Sequence, residues 1–216
     1  MSDARDLPAG DFSAWMTAVQ LAIRGEGASD VPCGSCTACC TASQFIHIGP
    51  DETDTLAHIP AGVLFPAPRL PRGHVLMGYD DRGHCPMLID GKCSIYAHRP
   101  RTCRTYDCRV FPAAGIESDD DKGLIATQAN RWSFSYQSDD DRTQHDAVRA
   151  SAMYLREHRE VHTKGNVPAT ATQLAVAAIE AHAAFVRRHQ PTGVMRIVDP
   201  EPEAVRVALS RRTNYA

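Results

Sequence analysis

Cys33-Gly34-Ser35-Cys36-Thr37-Ala38-Cys39-Cys40 is the stretch on which the fold turns. Three cysteines follow one another at intervals of three, and a fourth stands directly behind the third. Further along come Cys85, Cys93, Cys103 and Cys108, so all eight cysteines of the 216-residue chain fall in its middle. Gly34, Ser35, Thr37 and Thr41 make the first cluster polar, unlike buried cysteines packing as small hydrophobes. Thiolates spaced two residues apart can converge on a soft metal ion. Metal chelation is therefore the expected chemistry, ahead of a disulfide scaffold or a thioredoxin-type pair at Cys33 and Cys36, which lacks the strand such a pair follows.

The spacing also bears on which metal. Adjacent Cys39 and Cys40 direct their sulfurs apart in most backbone conformations, which argues against one zinc held by the first four cysteines. Cys33, Cys36 and Cys39 reproduce the two intervals between the first three ligands of bacterial ferredoxins. In those runs the fourth cysteine precedes a proline, as Cys85 precedes Pro86. An iron–sulfur cluster fits best, and two zincs sharing eight thiolates remain the alternative. Between Lys92 and Arg109 stand Lys92, Arg99, Arg101, Arg104 and Arg109 against the acid Asp107. Such cations suit the negative charge of a thiolate-bound centre, an anion pocket or a solvated face.

For the chain as a whole, 43% hydrophobic and 23% charged residues suffice for an ordinary core. A net charge of -3 supplies no field that would draw the chain onto nucleic acid or an anionic membrane. The first residues mix charges without the apolar run of an export signal, and the uncharged run from Gly165 to Ile179 falls short of the roughly 20 residues of a membrane span. A reducing cytoplasm is the expected compartment.

Trp15, Val19, Ala22 and Ile23 predict a helix over 11–24 behind Asp11 or Ser13. A strand is expected at 44–48, and a short helix from Gly49-Pro50-Asp51-Glu52 to about Pro60. Pro66, Pro68 and Pro71 make 61–73 an irregular loop. Runs at 74–79, 85–89 and 92–96 predict a small antiparallel meander, with Asp90-Gly91 as a two-residue hairpin turn. Pro100 opens a short helix bearing Cys103. Trp132, Phe134 and Tyr136 alternate as a half-buried strand, and Ser138 to Asp141 cap a helix to about 158. Further helices are expected at 169–188 and 201–211.

These motifs match a known pattern. The first cluster, together with Cys85-Pro86-Met87-Leu88, Gly91-Lys92-Cys93-Ser94-Ile95-Tyr96 and Arg99-Pro100-Arg101-Thr102-Cys103-Arg104, resembles the YkgJ-type cysteine-cluster family over roughly residues 30–110. The resemblance implies zinc or iron chelation by these cysteines. A related cluster occurs in flagellin lysine N-methylases, where an iron–sulfur centre is implicated, so methyl or other one-carbon transfer is a further alternative. A third is a non-catalytic zinc module whose metal folds an interaction surface.

Other candidates carry less. His158 and His162 lack the glutamate order of a zinc-protease helix and read as a solvated helix end. His84 and His98 are surface histidines first and ligands or outer donors second. Gly25-Glu26-Gly27 follows a helix, so it is no dinucleotide fingerprint. The acid runs 119–121 and 139–141 read as caps and solvated loops.

The sequence thus predicts an α+β protein: an N-terminal helix over 1–29, a metal-binding domain over 30–110, and a strand plus helices over 111–216. Cys33, Cys36, Cys39 and Cys85 are the expected ligands of an iron–sulfur cluster, 4Fe-4S by its spacing. Cys40, Cys93, Cys103 and Cys108 hold a second ion or surround the first. Metal ions are the expected partners, beside a protein or small molecule that the sequence does not identify.

Overall fold

A computed structural model describes residues 7–29, 31–119, 122–162 and 167–210. Helices and short strands are mixed, as the α+β class requires. The chain divides into two compact units, one of Met1–Gly27, Cys108–Asp119 and Ala129–Ala216, the other of Ala28–Asp107 and Asp120–Gln128. Among the described residues no helix is long and apolar enough to cross a membrane.

In the first unit, the strand Leu7–Asp11 runs parallel to Trp132–Ser135, pairing Leu7 with Trp132 and Asp11 with Ser135. Asp11 ends the strand and caps the helix Phe12–Ile23, its carboxylate accepting the Ala14 N–H at 3.0 Å. Such a cap is worth about 1 kcal/mol. Phe12, Trp15, Met16, Val19 and Ala22 are buried along that helix, a helical stripe facing the core. Trp132 and Phe134 point inward while Ser133 and Ser135 are exposed, the alternation read from the sequence. Ser138 and Asp141 form a capping box at the head of the helix Asp139–Glu157.

That helix buries His145, whose ring stacks on Phe12 with centroids 4.5 Å apart. Its Nε2–H points to the Pro112 carbonyl at 3.4 Å, so Nδ1 accepts the Tyr136 hydroxyl at 2.7 Å. Burial, with the Arg149 charge adding to it, lowers the His145 pKa to about 4.

The helix expected over 169–188 is shorter. It spans Ala171–Ala181, tightens into a 3-10 turn at His182–Phe185, and gives way to the strand Val186–Arg188. This strand pairs antiparallel with Met195–Ile197. The intervening Pro191-Thr192-Gly193, with Gly193 at φ +68°, is turn chemistry that outweighs helix continuation. The last helix spans Pro202–Ser210, and the end of the expected 201–211 element lies outside the described residues.

The second unit has a core of Ile48, Ile59, Met77, Met87 and Ile95. Its main sheet is antiparallel, with Val75–Met77 between Ile46–Ile48 and Leu64–Pro66. The proline-rich segment expected as a loop therefore contributes an edge strand, the position where a missing N–H is tolerated. Asp90 at φ +49° and Gly91 at φ +72° make the predicted tight turn, joining Leu88–Ile89 to Lys92–Cys93. The expected meander is thus two separate sheets. Asp80 explains the break: its carboxylate takes the Arg82 and His84 N–H groups at 2.9 and 2.8 Å, turning the chain away from Val75–Met77.

Candidate metal centre

The first cysteine segment is a turn followed by one turn of helix. The Cys36 N–H donates to the Cys33 carbonyl at 2.8 Å, and Gly34 supplies the left-handed residue at φ +55°. Cys39 and Cys40 then occupy successive positions of the helix Ala38–Thr41, about 100° apart around its axis. Cys39 is exposed and Cys40 half-buried, so the adjacent thiols occupy different surroundings.

Main-chain bonds bring the second segment to the first. The Cys85 N–H donates to the Cys40 carbonyl at 2.7 Å, and the Ser43 N–H to the Gly83 carbonyl at 3.0 Å. Ser43 sits at φ +57°, which reverses the chain after the helix. The Lys122 ammonium fastens the same junction, donating to the Thr41 and Arg82 carbonyls at 3.1 and 2.9 Å. Cys85 and Cys93 lie against the apolar core, with Cys93 facing Leu88 across the hairpin. Cys103 rides on the helix Arg101–Thr105, as the sequence predicts.

Electrostatics show which sulfurs feel one another. Burial pushes the Cys103 thiol up to about 12, reinforced by Cys85, Cys40 and Cys93 and opposed by the Arg99 guanidinium. Cys40 is raised to about 11 by burial and then by Cys85, Cys93, Cys36 and Cys33. Burial raises Cys85 as well, against N–H donation from Met87 and Leu88. Six cysteines from both segments therefore share one electrostatic environment. Desolvated thiols of this kind become thiolates when a cation supplies the opposing charge. None of the eight cysteines is joined to another by a disulfide.

Cys108 stands in the first unit, where it is buried and its sulfur accepts the Trp132 indole N–H at 3.1 Å. Arg109, also in the first unit, donates to the Ala9 carbonyl at 3.1 Å. Arg101 pairs with Asp51, and Arg99 lies over the Tyr96 ring, 3.7 Å from its centroid. The basic run thus disperses, leaving Arg99 as the guanidinium that acts on the Cys103 thiol. His158 bonds Glu160 at 2.9 Å and His162 the Leu155 carbonyl at 3.2 Å, separate partners for the two histidines.

One contributor escaped the sequence reading. Glu52 is buried, and its carboxylate accepts the N–H groups of Gly49 and Arg101. It thereby ties the start of the Cys103 helix to the sheet side of the unit. In sequence Glu52 looks like any acid in a first helical turn, and only its burial sets it apart.

Residues 32–129 match the family model CxxCxxCC, described as "Putative zinc- or iron-chelating domain". The matched segment contains all eight cysteines. No curated protein matches the chain, and no solved structure matches it.

Proposed function

We propose that the protein, whose residues 32–129 match the CxxCxxCC model, is a metal-chelating module whose thiolates hold iron as an iron–sulfur cluster. The observation that carries this reading is the 2.7 Å main-chain bond from the Cys85 N–H to the Cys40 carbonyl, which brings two cysteine segments together, with Cys33, Cys36, Cys85 and Cys93 adding to the upward shift of the Cys40 thiol. The donor set is sulfur alone and partly desolvated, which suits iron or zinc and does not suit magnesium or calcium. Cys33, Cys36, Cys39, Cys40, Cys85, Cys93 and Cys103 are the candidate ligands. When bound, an iron–sulfur cluster supplies one-electron exchange.

The protein's own residues do the rest. Arg99 opposes the negative charge gathered near Cys103, and Glu52 holds the helix that presents this thiol. The Cys85 to Cys40 main-chain bond fixes the two segments against each other.

Zinc is the second reading, favoured by the half-buried Cys40, Cys85, Cys93 and Cys103. Four thiolates make a closed structural zinc site whose binding energy is folding energy. Anaerobic purification with iron, acid-labile sulfide and zinc analysis, plus an absorption spectrum, separates the two. Iron with matching sulfide and a visible charge-transfer band is the expected result. Zinc without sulfide replaces the cluster with the structural site, and a chain that retains neither ion ends both readings.

A further inference from the structure

We propose that Asp54, His58 and His98 form a second, sulfur-free metal site on the second unit, taking a divalent transition ion of the zinc, nickel or copper class. One donor atom from each residue lies within 4.8 Å of the others. The two imidazoles stack with centroids 3.6 Å apart and planes 7° from parallel.

The hydrogen bonds fix which ring atoms are available. His98 Nδ1 lies 2.7 Å from an Asp54 carboxylate oxygen, which can only accept, so Nδ1 carries the proton. His58 Nδ1 lies 2.8 Å from the Asp54 main-chain carbonyl, and the same reasoning holds. Both Nε2 atoms are left as lone-pair donors on neighbouring rings. Metal-binding histidines commonly have this arrangement: the far nitrogen is held by a carboxylate or a carbonyl, which orients the ring and raises its basicity. Asp54 does both here, its side chain holding His98 and its main chain holding His58.

The pair is also pre-positioned. Asp54 belongs to the helix Thr53–Ala57 and His58 is its C-terminal cap, whereas His98 ends the 3-10 turn Tyr96–His98. Leu56 and Ile59 from the first stretch and Ile95 from the second pack into one apolar core. Two separate stretches of chain are thus held with these rings face to face. The His58 and His98 side chains are 41% and 37% exposed, so an ion can reach both rings from solvent. Imidazole and carboxylate donors favour zinc, nickel and copper over calcium or magnesium.

The site does not depend on which metal the cysteines hold. The test is a calorimetric zinc titration of the full chain whose thiolates already carry metal, with histidine ring NMR signals followed in parallel. One further zinc is expected, shifting the His58 and His98 resonances. His58→Gln and His98→Gln each weaken that binding by at least about tenfold, and Asp54→Asn weakens it by a smaller factor. His158→Gln binds as the parent does, and the sulfur-to-metal absorption is the same in all of them. The proposal is overturned if the parent takes up no zinc beyond that held by sulfur, or if His58→Gln and His98→Gln bind it as tightly as the parent.

Discussion

The Cys85 N–H and the Cys40 carbonyl are joined by a 2.7 Å hydrogen bond, which links two cysteine segments more than forty residues apart in sequence. The contact is made by the main chain and uses neither cysteine side chain. It ties two local cysteine patterns together within the second unit. On the proposed reading, a variant at one of these cysteines loses a ligand.

Cys103→Ser is expected to abolish metal retention and to destabilise the second unit, because a structural ion contributes its binding energy to folding. Cys108→Ala is expected to keep the metal. Its cost is to leave the Trp132 indole N–H without its sulfur acceptor, about 1 to 3 kcal/mol of stability. Metal stoichiometry and denaturant unfolding of the two variants check both halves, and loss of metal from Cys108→Ala would place that sulfur in the site.

Replacing Glu52 by alanine removes the acceptor of two N–H groups at once. The expected cost is roughly 2 kcal/mol. Since one donor belongs to Arg101, at the head of the Cys103 helix, metal should also pass faster to a competing chelator. Unchanged transfer kinetics in a folded Glu52→Ala protein would deny the carboxylate any part in holding Cys103.

His145 gives the first unit a pH dependence of known sign. Its folded pKa of about 4 lies below the ordinary histidine value of 6.5, so the native state holds it neutral and the unfolded state takes up the proton first. Stability from this group is complete above pH 6.5 and declines as pH falls toward 4, by about 3 kcal/mol in all. Both tryptophans of the chain, Trp15 and Trp132, lie in the first unit, so their fluorescence follows its unfolding. His145→Phe should flatten the profile between pH 6.5 and 4.

Gly91 occupies φ +72° in the hairpin that carries Cys93, and a Cβ there would meet no atom within 4 Å. The expected penalty of Gly91→Ala is therefore backbone strain alone, roughly 1 kcal/mol. Thermal unfolding of the metal-loaded chain measures it. A penalty several times larger would mean that the turn does more than reverse the chain.

Much of the fold was legible because local chemistry decides it. Asp90-Gly91 needs left-handed backbone, Trp132 and Phe134 alternate with serines, and Ser138 caps the helix directly behind it. The parallel pairing of Leu7–Asp11 with Trp132–Ser135 was not legible, since nothing in either stretch names a partner more than a hundred residues away. The helix expected through residue 188 ends early because its apolar stripe continues into Val186, a residue equally suited to the strand it joins. At the candidate site, the spacing of the cysteines pointed to the zinc- or iron-chelating family model that residues 32–129 match. Burial was not readable, so neither the buried Glu52 nor the influence of Arg99 on the Cys103 thiol could be told from the sequence. Of Asp54, His58 and His98, His98 alone was singled out in the sequence as a possible ligand, because the other two lie on a helix and its cap about forty residues earlier.

The strands of the second unit are two or three residues long, and its helices Thr53–Ala57 and Arg101–Thr105 have five residues each. Few amides in such a scaffold sit behind several cooperative ladder bonds, so protection has to come from a cross-link of another kind. If the sulfurs hold an ion as proposed, deuterium uptake across residues 31–107 gauges its occupancy: slow while they grip it, fast once they have let it go.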